Sequence, residues 1–80
     1  MSDLLTLFKT FQRVVETGSF TAVAAEFNTS QPTISRQIAA LEERVGALLF
    51  QRTTRALAVT EDGRVLYEQA RQTLDSVQQA

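Results

Sequence analysis

Three polar residues, Asn28-Thr29-Ser30, interrupt two runs of helical apolar spacing, and so short a break leaves two helices little choice but to cross steeply. Before the break, Phe20, Val23, Ala24 and Phe27 follow the i, i+3, i+4, i+7 rule. After it, Ile34, Ile38, Leu41 and Val45 recur at steps of four, three and four. Ser19 and Ser30 stand where N-caps are needed, and Pro32 falls in a first turn, where a missing N–H costs little. Asn28 tolerates positive φ and ends the first of the two helices, while Gly46 closes the second. Ala24 sits where the helices approach, and a bulkier side chain there would push them apart. Asn28-Thr29-Ser30 also spells a glycosylation acceptor, which is set aside because nothing points to secretion.

The flanks complete a plan. Leu4, Leu7, Phe8, Phe11, Val14 and Val15 predict a preceding helix, capped by Ser2 or Asp3 and stopped by Gly18. Downstream, Leu49 to Arg52 and Ala56 to Val59 read as two short strands around Thr53-Thr54-Arg55, with Leu57 and Val59 alternating against Ala56 and Ala58. Thr60 caps a last helix, with Glu61 and Asp62 at its positive end and Leu66, Ala70, Leu74 and Val77 as its apolar positions. The expected fold is mainly α: a winged helix-turn-helix with a three-helix core, a two-stranded β-ribbon wing and a long C-terminal linker helix. Residues 1–60 form the winged domain, with the helix-turn-helix over about 20–45 and the wing over about 49–59. Residues 61–80 form a linker helix suited to dimerisation, expected to be cut short because no stop signal follows.

Composition narrows the function. Eighty residues form one domain at most, with 44% apolar and 21% charged residues, the balance of a soluble globular chain. There is no cysteine and no histidine, so no thiolate metal site, no disulfide and no imidazole base. Gly18, Gly46 and Gly63 are too scattered for a phosphate loop, and the pairs Glu42-Glu43 and Glu61-Asp62 diverge on their helices. No enzymatic activity, cofactor or metal is expected. The longest apolar run, Val45 to Phe50, is far short of a membrane span, and the acidic start is unlike a secretory signal. The expected location is the cytoplasm.

Net charge is −1 and the pI near 5.3, whereas a simple nucleic-acid binder is basic. Distribution outweighs the sum. Phe27 to Leu41 holds no acid and one base, Arg36; Arg44 to Thr60 holds no acid and three bases, Arg44, Arg52 and Arg55. Two acid-free windows in a slightly acidic chain point to one face prepared for an anion.

The third helix presents a face opposite its apolar stripe, carrying Pro32, Arg36, Ala39 and Glu43, with Thr33 and Ser35 on the flanks and Gln31 at the tip. Small side chains let its backbone approach the floor of a major groove about 12 Å wide. The Gln31 amide can pair with N6 and N7 of adenine, while the Pro32 ring and Thr33 methyl can rest on a thymine methyl. Ser35 and Arg36 suit phosphate or base acceptors, and Ser30 at the helix start adds attraction for phosphate, although capping alone accounts for Ser30 and Pro32 equally well. Arg55 at the ribbon tip can reach a narrow minor groove; Arg52 has two readings, a phosphate contact or an internal pairing.

The string Ser30-Gln31-Pro32-Thr33-Ile34-Ser35-Arg36-Gln37-Ile38, followed by Leu41-Glu42, Gly46, Leu49-Phe50-Gln51-Arg52 and Leu57-x-Val59-Thr60, resembles the N-terminal domain of LysR-type transcriptional regulators. Gly18-Ser19-Phe20-Thr21 with Ala24-Ala25 matches the same pattern. The resemblance implies a bacterial DNA-binding transcription factor whose third helix enters the major groove and whose wing reaches the adjacent minor groove. By position it makes Gln31, Pro32, Thr33, Ser35 and Arg36 the groove-facing set, Arg55 the minor-groove residue and Arg52 a phosphate contact. It further implies a homodimer through the fourth helix on an interrupted inverted repeat of promoter DNA, with any small-molecule effector held by a separate C-terminal domain. The chain departs from the pattern at Thr29, where an apolar residue is usual, and at Thr53-Thr54-Arg55, which carries fewer bases than many relatives. Gly63 forfeits the carboxylate of a capping box. The rival reading is a winged helix for protein–protein contact without a DNA role, whose signature is an exposed apolar patch on the third helix or wing.

Overall fold

A computed structural model describes residues 3–52 and 57–79, the last three of these as backbone alone. The order is α1 (Leu4–Thr17), α2 (Phe20–Glu26), α3 (Gln31–Val45), β1 (Phe50–Arg52), β2 (Leu57–Val59) and α4 (Glu61–Gln79). The helix boundaries follow local chemistry. The Asp3 carboxylate accepts from the Thr6 N–H at 2.7 Å, and this bond holds the Asp3 carboxyl below its ordinary pKa. The Ser19 and Ser30 hydroxyls accept from Ala22 and Thr33 N–H in the same way. Gly18 and Gly46 take the left-handed conformation at φ 68° and 74°, and each donates back to its helix. Asn28 adopts φ 55°, and the Thr29 N–H then returns to the Ala24 carbonyl at 2.8 Å, which makes the turn tight.

The core lies where α1, α2 and α3 meet. Leu7, Phe11, Val14, Val23, Ile34, Ile38, Leu41 and Leu49 are essentially without exposure. Phe50 of β1 reaches into it, edge-on to Phe11 and Phe20 with ring centroids 5.6 and 6.0 Å apart. Thr10 is also fully buried, and its hydroxyl donates to Oε1 of Gln37 at 2.6 Å, joining α1 to α3. β1 and β2 are antiparallel, with Phe50 opposite Val59, Gln51 opposite Ala58 and Arg52 opposite Leu57.

Three expectations change. Phe27 sits past the end of a seven-residue helix and is 39% exposed, lying along a cleft with Lys9, Gln12 and Leu74 instead of in the core. Val45 is 42% exposed, because the last turn of α3 runs beyond the layer that covers Ile34, Ile38 and Leu41. Strand pairing begins at Phe50, one residue later than expected; Leu49 is buried but its N–H is taken by the Glu42 carboxylate at 2.8 Å. Ala56 lies outside the described residues.

Gly63 has a reason the sequence concealed. A Cβ there would strike the Leu49 carbonyl oxygen and come within 2.7 Å of Val59 Cγ1. The start of α4 therefore rests directly on the chain entering β1. Thr60 secures the junction: its N–H donates to the Leu49 carbonyl at 3.0 Å, its hydroxyl donates to the Leu48 carbonyl, and the same hydroxyl accepts from the Gly63 N–H.

Candidate nucleic-acid interface

The first two turns of α3 gather six of the expected site residues on one element. Ser30, Gln31, Pro32 and Arg36 are exposed, and Thr33 and Ser35 are half-buried at the flanks. Ala39 and Ala40 continue the exposed face without bulk. The opposite stripe of Ile34, Ile38 and Leu41 is fully buried, so the orientation of this face is set by the core and not by choice of partner. Ser30 is engaged locally: its hydroxyl accepts from the Thr33 N–H and lies 2.9 Å from the Thr33 hydroxyl, with Arg36 Nη2 3.4 Å beyond. Capping thus accounts for Ser30, while the helix's unpaired first N–H groups still face outward with their positive end.

Acid placement supports the face. Glu42 turns from it to hold the Leu49 N–H, and its Oε2 lies 3.4 Å from the Phe50 N–H as well. This carboxylate is thereby spent on the backbone that leads into β1. Glu43 remains exposed, three turns from Gln31.

Of the two readings of Arg52, the internal pairing is the one the structure displays. Along β1, Phe50 and Arg52 share a face because strand side chains alternate, so Arg52 follows Phe50 toward α2. Its guanidinium lies 4.4 Å from the centroid of the Phe20 ring. A stacked guanidinium keeps its N–H edge free for phosphate oxygens, so the stacking orients the group without consuming it. Arg55 lies outside the described residues.

The second half of the expected site is rearranged. On α4, Gly63, Tyr67, Ala70 and Leu74 fall within about 60° of arc, and this is the side turned to the chain's own α1. Ala70 is 1% exposed and Leu74 4% within a single chain, so neither offers surface to a second copy. Leu66 is half-buried and Val65 53% exposed; with Asp62 and Gln69 they lie on the adjacent side and line a groove of about 190 Å³ with Val45, Ala47 and Leu49. The Val77 side chain lies outside the described residues.

Sequence reasoning missed the polar links between helices. The Tyr67 hydroxyl donates to Glu16 Oε2 at 2.7 Å, Arg13 pairs with Glu16, and Arg13 forks onto both oxygens of Glu26 at 2.8 Å. The Tyr67 bond, with Arg13 and Gln12 beside it, holds the Glu16 carboxyl below the usual range, and Glu16 in turn raises the Tyr67 phenol. Glu26 is lowered by Arg13, whose own pKa is raised by the two carboxylates. The i, i+3 spacing of Arg13 and Glu16 was a visible signal; the links to Glu26 and Tyr67 cross between helices and left none.

A sequence profile described as "Bacterial regulatory helix-turn-helix protein, lysR family" matches residues 5–64. The chain belongs to the LysR family. It is 44% identical to the HTH-type transcriptional regulator TfdT of Cupriavidus pinatubonensis over 90% of this chain, and 43% identical to a probable cat1 operon transcriptional activator of Acinetobacter lwoffii over the same share. It spans only 32% and 24% of the lengths of those two relatives. Among solved structures, the CbnR DBD–DNA complex superposes with TM-score 0.89 at 34% identity, covering 99% of this chain and 88% of that one. The BenM DBD–catB site 1 DNA complex gives 0.88 at 38% identity, covering 99% and 86%. The likeness to these structures thus covers essentially the whole chain.

Proposed function

We propose that this LysR-family chain is a DNA-binding domain of a bacterial transcriptional regulator, reading double-stranded promoter DNA by sequence. α3 enters the major groove from its Gln31 end, and the β1–β2 wing approaches the flanking minor groove. The observation that carries this reading is the exposed, small-sided face of α3 from Gln31 to Ala40, on a scaffold that superposes on two domains crystallised with DNA. Gln31, Pro32, Thr33, Ser35 and Arg36 are assigned to bases and phosphates, Arg52 to a phosphate, and Arg55 to the minor groove. The reading makes the chain a non-enzyme that works in the cytoplasm on the nucleoid, with residues 1–60 as the winged domain and 61–80 as the linker helix.

Dimerisation on an interrupted inverted repeat belongs to the same reading, with a changed seam. α4's side bearing Val65, Leu66 and Gln69 is the part left to a second copy, since Ala70 and Leu74 serve the fold of one chain. The exposed apolar residues Val45 and Val65 both line this groove, so they support a dimer contact more than the rival protein-only role, whereas the exposed Leu48 lies in a separate cleft with Ala39 and Glu43.

Selection of bound sequences from a random duplex pool, followed by affinity measurement on the winner across a salt series, tests the proposal. The expected result is a sequence preference with inverted symmetry and log K falling linearly with log salt. Absence of enrichment, or a flat salt plot, contradicts it. In the same assay Val65→Asp is expected to weaken binding to the paired site far more than to one half-site, and equal losses contradict the seam.

A further inference from the structure

We propose that Tyr67 and Glu16 are positioning residues that set the angle between α4 and the recognition helix, and with it the half-site spacing that a dimer accepts. The inference rests on the DNA-binding dimer proposed above and concerns how that dimer chooses among spacings.

α4 is held against its own domain by two kinds of contact. Its inner side is Gly63, Tyr67, Ala70 and Leu74, a smooth surface in which two of four positions carry a hydrogen or a methyl group. Apolar contact of that kind resists separation but has no preferred direction, so it fixes contact without fixing tilt. Gly63 pins the start of the helix against Leu49, which makes a pivot. One turn on, the Tyr67 hydroxyl reaches Glu16 near the end of α1 at 2.7 Å, and a hydrogen bond of this kind is directional.

Glu16 is itself held in place. One carboxylate oxygen accepts from Arg13, and the other accepts from Gln12 as well as from Tyr67. Arg13 in turn grips both oxygens of Glu26, the last residue of α2. The chain of contacts therefore runs from α4 through α1 to the first helix of the helix-turn-helix, whose turn leads directly into α3. Its members are exposed or half-buried, so the network contributes little to holding the fold and most to its geometry.

The geometry has leverage. If two copies join along α4, the distance and rotation between their recognition helices depend on the tilt of α4 against its own domain. A tilt of about 10° carried over about 20 Å, half the 40 Å long axis of the molecule, displaces a recognition helix by about 3.5 Å. That is close to one base-pair step along a duplex. Losing the Tyr67–Glu16 bond should let the tilt range over such an angle, and the dimer should then tolerate neighbouring spacings.

The test uses the 80-residue chain and duplexes carrying two inverted half-sites whose spacer changes one base pair at a time. The unaltered chain is expected to prefer one spacer over its neighbours by about fivefold or more. Tyr67→Phe keeps the ring and removes the hydroxyl; it is expected to flatten that preference to within about twofold while single half-site affinity stays unchanged. Glu16→Ala removes the acceptor from an exposed position without touching the inner side of α4, and the same flattened profile is expected. A wild-type spacing profile in both variants overturns the inference, as does a parallel loss of half-site affinity, which marks a residue needed only for folding. An unaltered chain that binds DNA but ignores the spacer also overturns it while leaving the DNA reading intact. A chain that binds no duplex at all overturns both.

Discussion

The Arg52 guanidinium rests on the ring of Phe20, joining the last residue of β1 to the first residue of α2. A flat cation stacked on a ring is held at about 0.5–1 kcal/mol for an exposed site, and a lysine cannot reproduce the stack. Arg52→Ala is expected to lower the slope of log K against log salt by about one per chain, the value for one phosphate contact. Arg52→Lys is expected to keep the slope and lose affinity several-fold, because charge survives and orientation does not. Affinity measured at four or five salt concentrations decides it; an Arg52→Ala slope equal to that of the unaltered chain would assign Arg52 to the fold alone.

Gln31 stands exposed at the first position of α3, where an amide can present donor and acceptor together to a base edge. Gln31→Ala is expected to lose about 1–3 kcal/mol on the selected sequence and much less on scrambled DNA. Equal losses on both would make Gln31 a backbone contact. The substitution leaves the buried stripe of α3 untouched, so thermal stability should change little.

Much of this architecture was readable because its signals are local. Asp3, Gly18, Ser19, Ser30 and Gly46 each act on a neighbour within one helical turn, and all five operate as their residue types imply. The face of α3 was readable too, since one buried stripe determines the direction of the other. The contacts that fix relative helix positions were not readable. Thr10 and Gln37 are 27 residues apart, and Tyr67 and Glu16 are 51 apart, so no spacing rule links them. Leu66, Ala70 and Leu74 show the limit clearly. Periodicity reveals that a helix side is apolar but not whether its cover comes from the same chain, and here α1 provides it for the last two.

The Asp3 cap and the interhelix network give stability a modest pH dependence at both ends of the scale. Asp3, Glu16 and Glu26 have lowered folded-state pKa values, so their contribution is complete above the unfolded carboxylate range and is lost as pH falls below that range through their lowered folded-state values. Tyr67 is raised, chiefly by its bond to Glu16 and against a smaller opposing effect of Arg71, so its contribution is complete below about pH 10 and is lost as pH rises beyond. With no histidine in the chain, a plateau of melting temperature is expected between about pH 5 and 10. Tyr67 is the sole tyrosine and there is no tryptophan, so phenolate absorbance reports this one group. Its titration midpoint should lie higher in the folded chain than in denaturant; coincident midpoints would remove Glu16 as its partner.

Gly63 sets two effects of opposite sign against each other. In a free helix interior, glycine to alanine is stabilising by about 1 kcal/mol, because the unfolded chain loses freedom and the helix gains a better former. At this position the new methyl meets the Leu49 carbonyl oxygen and Val59 Cγ1. The side chain of Val59 can turn, but the carbonyl cannot retreat without releasing the Thr60 N–H that it accepts at 3.0 Å. Overpacking against fixed backbone costs about 1–3 kcal/mol, and the loss of that hydrogen bond adds about 1 more, so the steric effect should win. Gly63→Ala is therefore expected to lower the urea midpoint by the equivalent of about 1–3 kcal/mol. A raised midpoint would mean that α4 does not rest on the strand-entry backbone, and the pivot from which its tilt is measured would be lost with it.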